Sequence, residues 1–404
     1  HDLNKTKLDM VYDLLEIEND RQKKKFHLEK TTNRAKAFRD ASFIINSIEV
    51  GNRMELWRQD YEIPRKYGAT QILGECGGPG GTFHAWRIIP PIVEIVKDAE
   101  KICPNAFLIN FSNPLSRVCL TIKRSVKELK FVGLCHQIAF LVRHLPNMFK
   151  KSISELKLKV GGLNHFAFLL GLEDLVLGKD LMPTFNELAL DYFRRYENRF
   201  EFSTLTFEVF KKFGLFCYAG DNHLGEYLQF GEEFTIMQDM IDWINFIDME
   251  GQLVHKKFLN YHKRLKRGRY PRKGILFKGV SGERAVPIIE AIIKDKNSYE
   301  FAVNIPNDNI IDNLPQDLVL ECSGIINRNG IHGIKLGKIP KNIAALLRIE
   351  ASIQDLCVDA ILNKSKDLAI ACLATDPNVG SFEIAENIFD EMSQLQRKYL
   401  PNFK

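Results

Sequence analysis

Three short apolar runs, each closing on polar or small residues, constrain this chain most. They are Ala41 to Ile48 (ASFIINSI), Phe107 to Phe111 (FLINF) and Phe131 to Cys135 (FVGLC). Runs of this length without polar alternation read as strands buried on both faces. Between them, Pro91 to Lys101 and Ser125 to Leu129 carry helical patterns, and Lys7 to Lys30 is helix-like ahead of the first run. Strand, helix, strand in this rhythm specifies a parallel sheet with right-handed crossovers. Ligands in such sheets bind beyond the carboxyl ends of the strands. Asn46-Ser47, Asn113-Pro114 and Cys135-His136 are placed there.

The rhythm changes after about residue 160. Leu156 to Leu170 has strand-like stretches around Gly161-Gly162-Leu163-Asn164-His165, and Pro183 to Leu253 is mostly helical and aromatic-rich. Gly274 to Lys278 and Glu300 to Asn304 read as strands, and Asn342 to Asn363 and Glu383 to Lys398 as long helices. With 404 residues, two domains are expected: an α/β unit over 1–160 and an α+β unit over 161–404. Lys plus Arg number 56 against 51 Asp plus Glu, a net charge of only +5. The short basic runs Arg21 to Lys25 and Lys263 to Arg272 read as solvated faces, which argues against a nucleic-acid partner. No apolar run reaches 18 residues, so no membrane span is expected. The eight cysteines form no CxxC pair and no signal peptide is visible. A reduced, cytoplasmic protein is the expectation. The opening His1-Asp2-Leu3-Asn4 has no initiator Met, and an N-terminal piece is expected to precede it.

Three places hold chemistry. Cys135 and His165 each follow an apolar run, and a thiolate with an imidazole suits a borderline divalent metal with positions left open for substrate. A buried thiol and a satisfied core histidine is the plainer reading of the same pair. The cluster Gly74-Glu75-Cys76-Gly77-Gly78-Pro79-Gly80-Gly81, ahead of a helix expected near Phe83, is either a tight turn or a loop that approaches a ligand closely. It matches neither the Walker loop nor the GxGxxG fingerprint. Residues 217 to 226 hold five ionisable side chains, including Tyr218 and Asp221, and either of these two would act as a base if a cation lowered its pKa. The plainer reading is a polar loop.

These stretches fall in the order of a known family. Asp60-Tyr61-Glu62-Ile63-Pro64-Arg65-Lys66-Tyr67-Gly68 is followed by Gly74 to Gly81, by Cys103-Pro104-Asn105-Ala106 and by Asn113-Pro114. Then come Gly133-Leu134-Cys135-His136, Gly162-Leu163-Asn164-His165 and Gly220-Asp221-Asn222-His223. Ser281-Gly282-Glu283, Val303-Asn304-Ile305-Pro306-Asn307, Asn313-Leu314-Pro315 and Asp376-Pro377 complete the set. With these motifs, across nearly its whole length, the chain resembles glycoside hydrolase family 4, the NAD- and Mn-dependent glycosidases.

The resemblance implies a Rossmann-like NAD-binding domain followed by an α+β domain of the lactate/malate dehydrogenase C-terminal type. It also implies an unusual reaction. Most glycosidases set two carboxylates around the glycosidic bond. This family instead oxidises the sugar at C3 with NAD+, removes the acidified C2 proton, expels the glycosidic oxygen, adds water and returns the hydride. NAD and Mn2+ (or another divalent metal) are the implied cofactors. Cys135 and His165 match the metal ligands. Asn164 and Glu75 match sugar-contacting residues, and Asn113 matches the asparagine of the turn at sugar and nicotinamide. Asn46 and Ser47 lie on the cofactor side, and Asp2 matches the acidic residue that holds the adenosine ribose. Asp221 is the preferred C2 base, with Tyr218 second. His136 follows the metal cysteine where phospho-sugar members carry Asp or Asn, which implies an unphosphorylated substrate and makes His136 a candidate general acid.

An α-glucoside, α-galactoside or α-linked uronide is therefore expected, and a uronide would need a cation such as Arg284. A homodimer or homotetramer is implied as well. Two departures stand out. The family's N-terminal strand and its GxGS-type phosphate loop have no counterpart here, and the pyrophosphate would lose its main cradle if that segment were truly deleted. Trp57 stands where the family often has Arg, and either Arg53 or Arg58 substitutes or the sugar pocket is more apolar. A 2-hydroxy acid dehydrogenase and a non-catalytic scaffold of the same fold are the alternatives, and the Cys135/His165 pair argues against the first.

Overall fold

The computed structural model describes residues 1–24, 26–196, 202–268 and 282–404. The three apolar runs form parallel strands β1 (Phe43–Asn46), β2 (Phe107–Asn110) and β3 (Lys130–Gly133). Their registers coincide: Asn46 pairs with Asn110 and Asn110 with Gly133, so all three chains leave the sheet at one edge. The remaining strands are β4 (Leu156–Leu163), β5 (Phe166–Asp174), β6 (Lys179–Asp180), β7 (Ser298–Pro306), β8 (Val319–Asn327) and β9 (Gly330–Gly333). The order across the sheet is β1-β2-β3-β7-β8-β4-β5-β6, with β9 on β8. The pairing turns antiparallel at β3 and β7. One sheet therefore runs unbroken across residue 160.

The helices are α1 (Lys5–Arg21), α2 (Arg34–Phe38), α3 (Arg53–Lys66), α4 (Gly78–Ile102), α5 (Leu115–Ser125), α6 (Ile138–Phe149) and α7 (Met182–Arg195). They continue as α8 (Thr204–Phe213), α9 (Asp221–Leu224), α10 (Met237–Lys266), α11 (Ala285–Ile293), α12 (Lys341–Asn363), α13 (Lys366–Thr375) and α14 (Phe382–Leu395). The C-terminal helices return to the first sheet layers. Phe83, Trp86 and Ile92 of α4 and Val118 and Ile122 of α5 share a core with Ile353, Cys372 and Phe389. A second core joins β3, β7 and β8 to α11 and α12 through Val132, Val303, Leu320, Ile288 and Leu347. No helix among the described residues is long and apolar enough to cross a membrane.

Several boundaries differ from expectation. The first helix ends at Arg21 instead of Lys30, because Lys23 adopts a left-handed backbone (φ 52°) that breaks the ladder. Residues 126–129 are not helical, since α5 stops at Ser125 with Val126 extended. The glycine cluster does not precede its helix but begins it: α4 starts at Gly78, with Pro79 in its first turn. Gly80 is required there by close approach, because a Cβ would sit 2.5 Å from the Asp60 carbonyl. Strand β8 carries no expectation from the sequence at all. Gly274 to Lys278 lies outside the described residues.

A buried ion pair locks α3 to α4. Arg87 donates to Asp60 through both Nη1 (2.7 Å) and Nη2 (2.5 Å), and Gln396, just past α14, bonds both partners. Removing one partner of such a pair strands the other charge. Asp60→Asn should therefore lose about 3–5 kcal/mol of unfolding free energy in urea titrations. Arg58→Ala, which breaks the more exposed pair to Asp248, should lose about 1 kcal/mol or less. Equal losses would refute a special role for the buried pair.

Candidate active site

A single row of paired residues crosses the sheet where parallel pairing gives way to antiparallel: Gly133 with Asn304, Asn304 with Glu321, and Glu321 with Gly162. Paired residues share a face, so two polar side chains stand between two glycines. Gly162 has φ +154°, and a Cβ there would lie 2.5 Å from the Phe166 carbonyl. The Glu321 carboxylate is buried, and three neutral donors hold it. Tyr218 donates its hydroxyl to Oε1 (2.6 Å), while Asn164 (2.7 Å) and Asn304 (2.9 Å) donate their amides to Oε2. Burial raises the Glu321 pKa and these bonds only partly offset it. Burial, followed by the Glu321 charge, pushes Tyr218 well above the usual phenol range.

Beside this row, Cys135 and His165 are brought together. Sγ lies 3.2 Å from Nε2, and the other ring nitrogen, Nδ1, is buried without a hydrogen-bond partner. His165 occupies the tight turn between β4 and β5 with φ +61°. Burial, with His223 and His136 nearby, holds its imidazole well below the ordinary range, so it is neutral and offers a lone pair. Burial pushes the Cys135 thiol up to about 12, with Glu321 adding to the effect. The His223 ring lies tilted by 35° against that of His165, with centroids 4.1 Å apart. Its Nδ1 lies 3.2 Å from Glu226. The other Glu226 oxygen accepts from the Glu75 (2.5 Å) and Cys76 (2.9 Å) amides. Cys76, His165 and Glu226 place ligand atoms within 4.8 Å of one another. Thiols, a neutral imidazole with an orphaned nitrogen and a fixed carboxylate form a donor set that fits a divalent cation.

The other expected residues fall in different places. Asn164 reaches the cluster through Glu321. Glu75 sits on the opposite side of Glu226, and Arg53 bonds its Oε1 at 2.5 Å. Of the two arginines considered, Arg53 reaches Glu75, while Arg58 is committed to Asn245 and Asp248. Trp57 is buried and donates to the Leu73 carbonyl. Asn113 is half-buried at the turn between β2 and α5. Asn46 is drawn inward, donating to Asn110 Oδ1 (2.7 Å) and Ser112 Oγ (3.2 Å), while Ser47 is exposed. Asp2 accepts from the Asn4 amide at the exposed start of the chain. His136 is largely exposed, 4.0 Å from Glu283.

Two placements go against expectation. Asp221 is buried, but its oxygens accept from the amides of Ser203, Leu205 and Thr206 and from the Thr206 hydroxyl. It thereby satisfies the open N–H groups at the start of α8, while burial raises its pKa against those bonds. Arg284 is bound through Nε and Nη2 to Glu300, so its charge is already matched inside the chain. The sequence reading quoted Cys76, His223, Glu226 and Asn304 within its motifs but gave them no role, and it missed Glu321 altogether. A lone carboxylate inside the apolar run Leu318 to Cys322 is the signal that marks Glu321.

Residues 1–150 match the model of the family 4 glycosyl hydrolases, and residues 160–379 match that of the family 4 glycosyl hydrolase C-terminal domain. An α-glucosidase of Erwinia rhapontici is 36% identical over 94% of this chain and 86% of its own length. An α-galactosidase of Bacillus subtilis (strain 168) is 25% identical, over 100% of this chain and 92% of its own. Among solved structures, a 6-phospho-α-glucosidase from gut microorganisms, in complex with NAD and Mn2+, superposes with a TM-score of 0.83. That match has 21% identity and covers 100% of this chain and 92% of the other, a likeness of fold.

Beneath the Cys76 loop, Arg117 donates to the Cys76 carbonyl (3.0 Å) and reaches Glu350 (3.4 Å). Burial pushes Glu350 up to about 7, with Arg117 opposing. The folded protein thus holds the Glu350 proton more tightly than the unfolded chain. That contribution is complete below pH 4.5, the ordinary value, and is lost as pH rises through about 7. Against Glu350→Gln, the wild type should lose about 3 kcal/mol of unfolding free energy across that window. Denaturation curves at a series of pH values check this, and parallel pH profiles would refute it.

Proposed function

The chain belongs to family 4 of the glycosyl hydrolases, and from that premise we propose that it hydrolyses an unphosphorylated α-glucoside by reversible oxidation at C3. The observation that carries the reading is the juxtaposition of the Cys135–His165 pair with the Tyr218–Glu321 pair. When bound, NAD supplies hydride exchange at C3, and a divalent cation supplies charge that stabilises the deprotonated sugar. Cys135 and His165 would hold the cation. Ser47 and Asn113, beyond the carboxyl ends of β1 and β2, would meet the cofactor, with Asn46 bracing the turn and Asp2 taking the ribose.

Tyr218 is the better C2 base. Its oxygen takes the C2 proton as its own hydroxyl proton passes to Glu321 Oε1, 2.6 Å away. Asn164 and Asn304 hold that carboxylate in place. Asp221 instead caps α8, for the reason its four donors give. Glu75, oriented by Arg53, contacts sugar hydroxyls. His136, at the exposed rim, protonates the leaving oxygen. A glucoside is favoured over a uronide because Arg284 is engaged by Glu300, and because the α-glucosidase relative is 36% identical.

A homo-oligomer and a cytoplasmic location complete the reading. The middle of α10, including Met249, Leu253 and Val254, is exposed on every face, which suits coverage by another copy. All eight cysteines are free, which suits a reducing compartment.

Nitrophenyl α- and β-glycosides and uronides, with Mn2+ and a phosphine reductant, test the reaction. Cleavage of the α-glucoside that requires NAD+ without accumulating NADH is expected. Net NADH production from a 2-hydroxy acid would overturn the reading. Tyr218→Phe should lower kcat by about 100-fold or more while NAD binding stays unchanged. Asp221→Asn should lower thermal stability and leave kcat within tenfold, and the reverse pattern would restore Asp221 as the base.

A further inference from the structure

Beside Glu75 lies a small polar cavity of about 10 Å3, room for about one water-sized group. Its walls include Glu49, Arg53, Trp57, Glu75, His84 and Arg87. Glu49 belongs to the segment that follows β1, so the cavity sits at the carboxyl edge of the parallel strands, where such sheets bind ligands. Arg53 is shared between two carboxylates, 2.5 Å from Glu75 Oε1 and 3.9 Å from Glu49 Oε2. His84 stands in the first turns of α4 and is 5% exposed. Its Nδ1 lies 2.9 Å from the Glu75 carbonyl oxygen. A carbonyl only accepts, so Nδ1 carries the hydrogen of the neutral ring and Nε2 offers its lone pair. Nε2 is buried without a hydrogen-bond partner. Glu49 Oε2 stands 3.4 Å from it, and a carboxylate likewise only accepts. Two acceptors thus face one small space without a donor between them. Arg87, on another wall, has a buried Nε that is also without a partner.

We propose that His84 and Glu49 form a specificity subsite that accepts a hydrogen bond from one sugar hydroxyl remote from the reacting carbons, at C4 or C6. The inference rests on the glycosidase reading above and on Glu75 as a sugar contact. Cys135, His165 and Tyr218 serve C2 and C3, and the distal hydroxyl falls to the cavity beside Glu75. His84 then does two things: Nδ1 fixes the Glu75 peptide and Nε2 receives the sugar. A hydroxyl is the neutral group that both donates and accepts, so it meets the orphaned acceptor and still has a lone pair for a donor on the walls. A substrate without that hydroxyl leaves buried polar groups unpaired, which is how a site of this kind discriminates. An anionic substituent in the same place would meet Glu49 and Glu75 together, with Arg53 already shared between them, and repulsion of that sort excludes a wrong ligand.

The test measures kcat/KM for nitrophenyl α-glucoside and for its 4-deoxy and 6-deoxy analogues, using the full chain with NAD+, Mn2+ and a phosphine reductant. The wild type should lose about 10–100-fold on at least one analogue, and this arm does not depend on how any variant folds. His84→Asn keeps a donor for the Glu75 carbonyl, because the Asn amide takes the place of the Nδ1 hydrogen, and it removes Nε2. His84→Asn and Glu49→Ala should each lose at least tenfold on the parent glucoside. On the analogue that identifies the hydroxyl they should lose little more, because the bond is already absent from one side. A general structural defect would instead multiply with the loss from the missing hydroxyl. Equal kcat/KM on all three substrates in the wild type, or losses that multiply, overturns the subsite and leaves the glycosidase reading standing. No NAD-dependent cleavage of the parent glucoside overturns both.

Discussion

The Glu321 carboxylate is an unmatched negative charge buried between two strands, and much of the molecule is arranged to keep it there. Neutral donors cost less order than a buried cation would, but they must come from fixed places. Here they come from β7 (Asn304), from the β4–β5 turn (Asn164) and from the segment ahead of α9 (Tyr218). Three parts of the chain, far apart in sequence, are therefore registered on one carboxylate. The glycines at 133 and 162 let neighbouring chain pack closely around the row, since a Cβ would meet Cys119 at 2.6 Å and the Phe166 carbonyl at 2.5 Å, respectively. The same charge raises the pKa of Cys135 and Tyr218, so it ties the Cys135–His165 pair and the proposed base into one electrostatic unit.

A second carboxylate does similar work for the neighbouring loop. Glu226 binds the amides of Glu75 and Cys76 with one oxygen and approaches His223 with the other. Arg117 holds the same loop from below. The loop is thus clamped between an anion and a cation, which accounts for its precision better than its glycines do. Negative charge gathers around two thiols and a neutral imidazole. Burial of that negative charge beside neutral thiols and a neutral imidazole is costly without a cation nearby.

Some of this architecture was legible and some was not, for physical reasons. The strands at 43–46, 107–110 and 130–133 were readable because fully buried parallel strands leave uninterrupted apolar runs. Strand β8 was not, because Glu321, Ser323 and Gly324 interrupt its pattern at the point where the site is built. The start of α4 was obscured by four glycines, which read as a loop until close approaches by Glu226, Gln71, Asp60 and Cys76 explain them. Asp221 was read as a base from its polar loop and the family resemblance, and nothing local shows that its donors lie 15 to 18 residues upstream. Arg284 was read as a possible cation for a uronide, and its partner Glu300 lies sixteen residues further on.

The sequence by itself determined the family, the parallel strands and the polar residues that close them, because these depend on local hydrophobicity and on ordered motifs. It also identified Cys135 and His165 as a pair. Tertiary structure alone decided which groups gather beside His165. Cys76 arrives from a loop 59 residues before Cys135, and Glu226 from 61 residues after His165. Whether a carboxylate is a base, a cap or a counter-charge depends on which donors reach it in space. Those donors are set by strand register and helix packing, which no local pattern encodes.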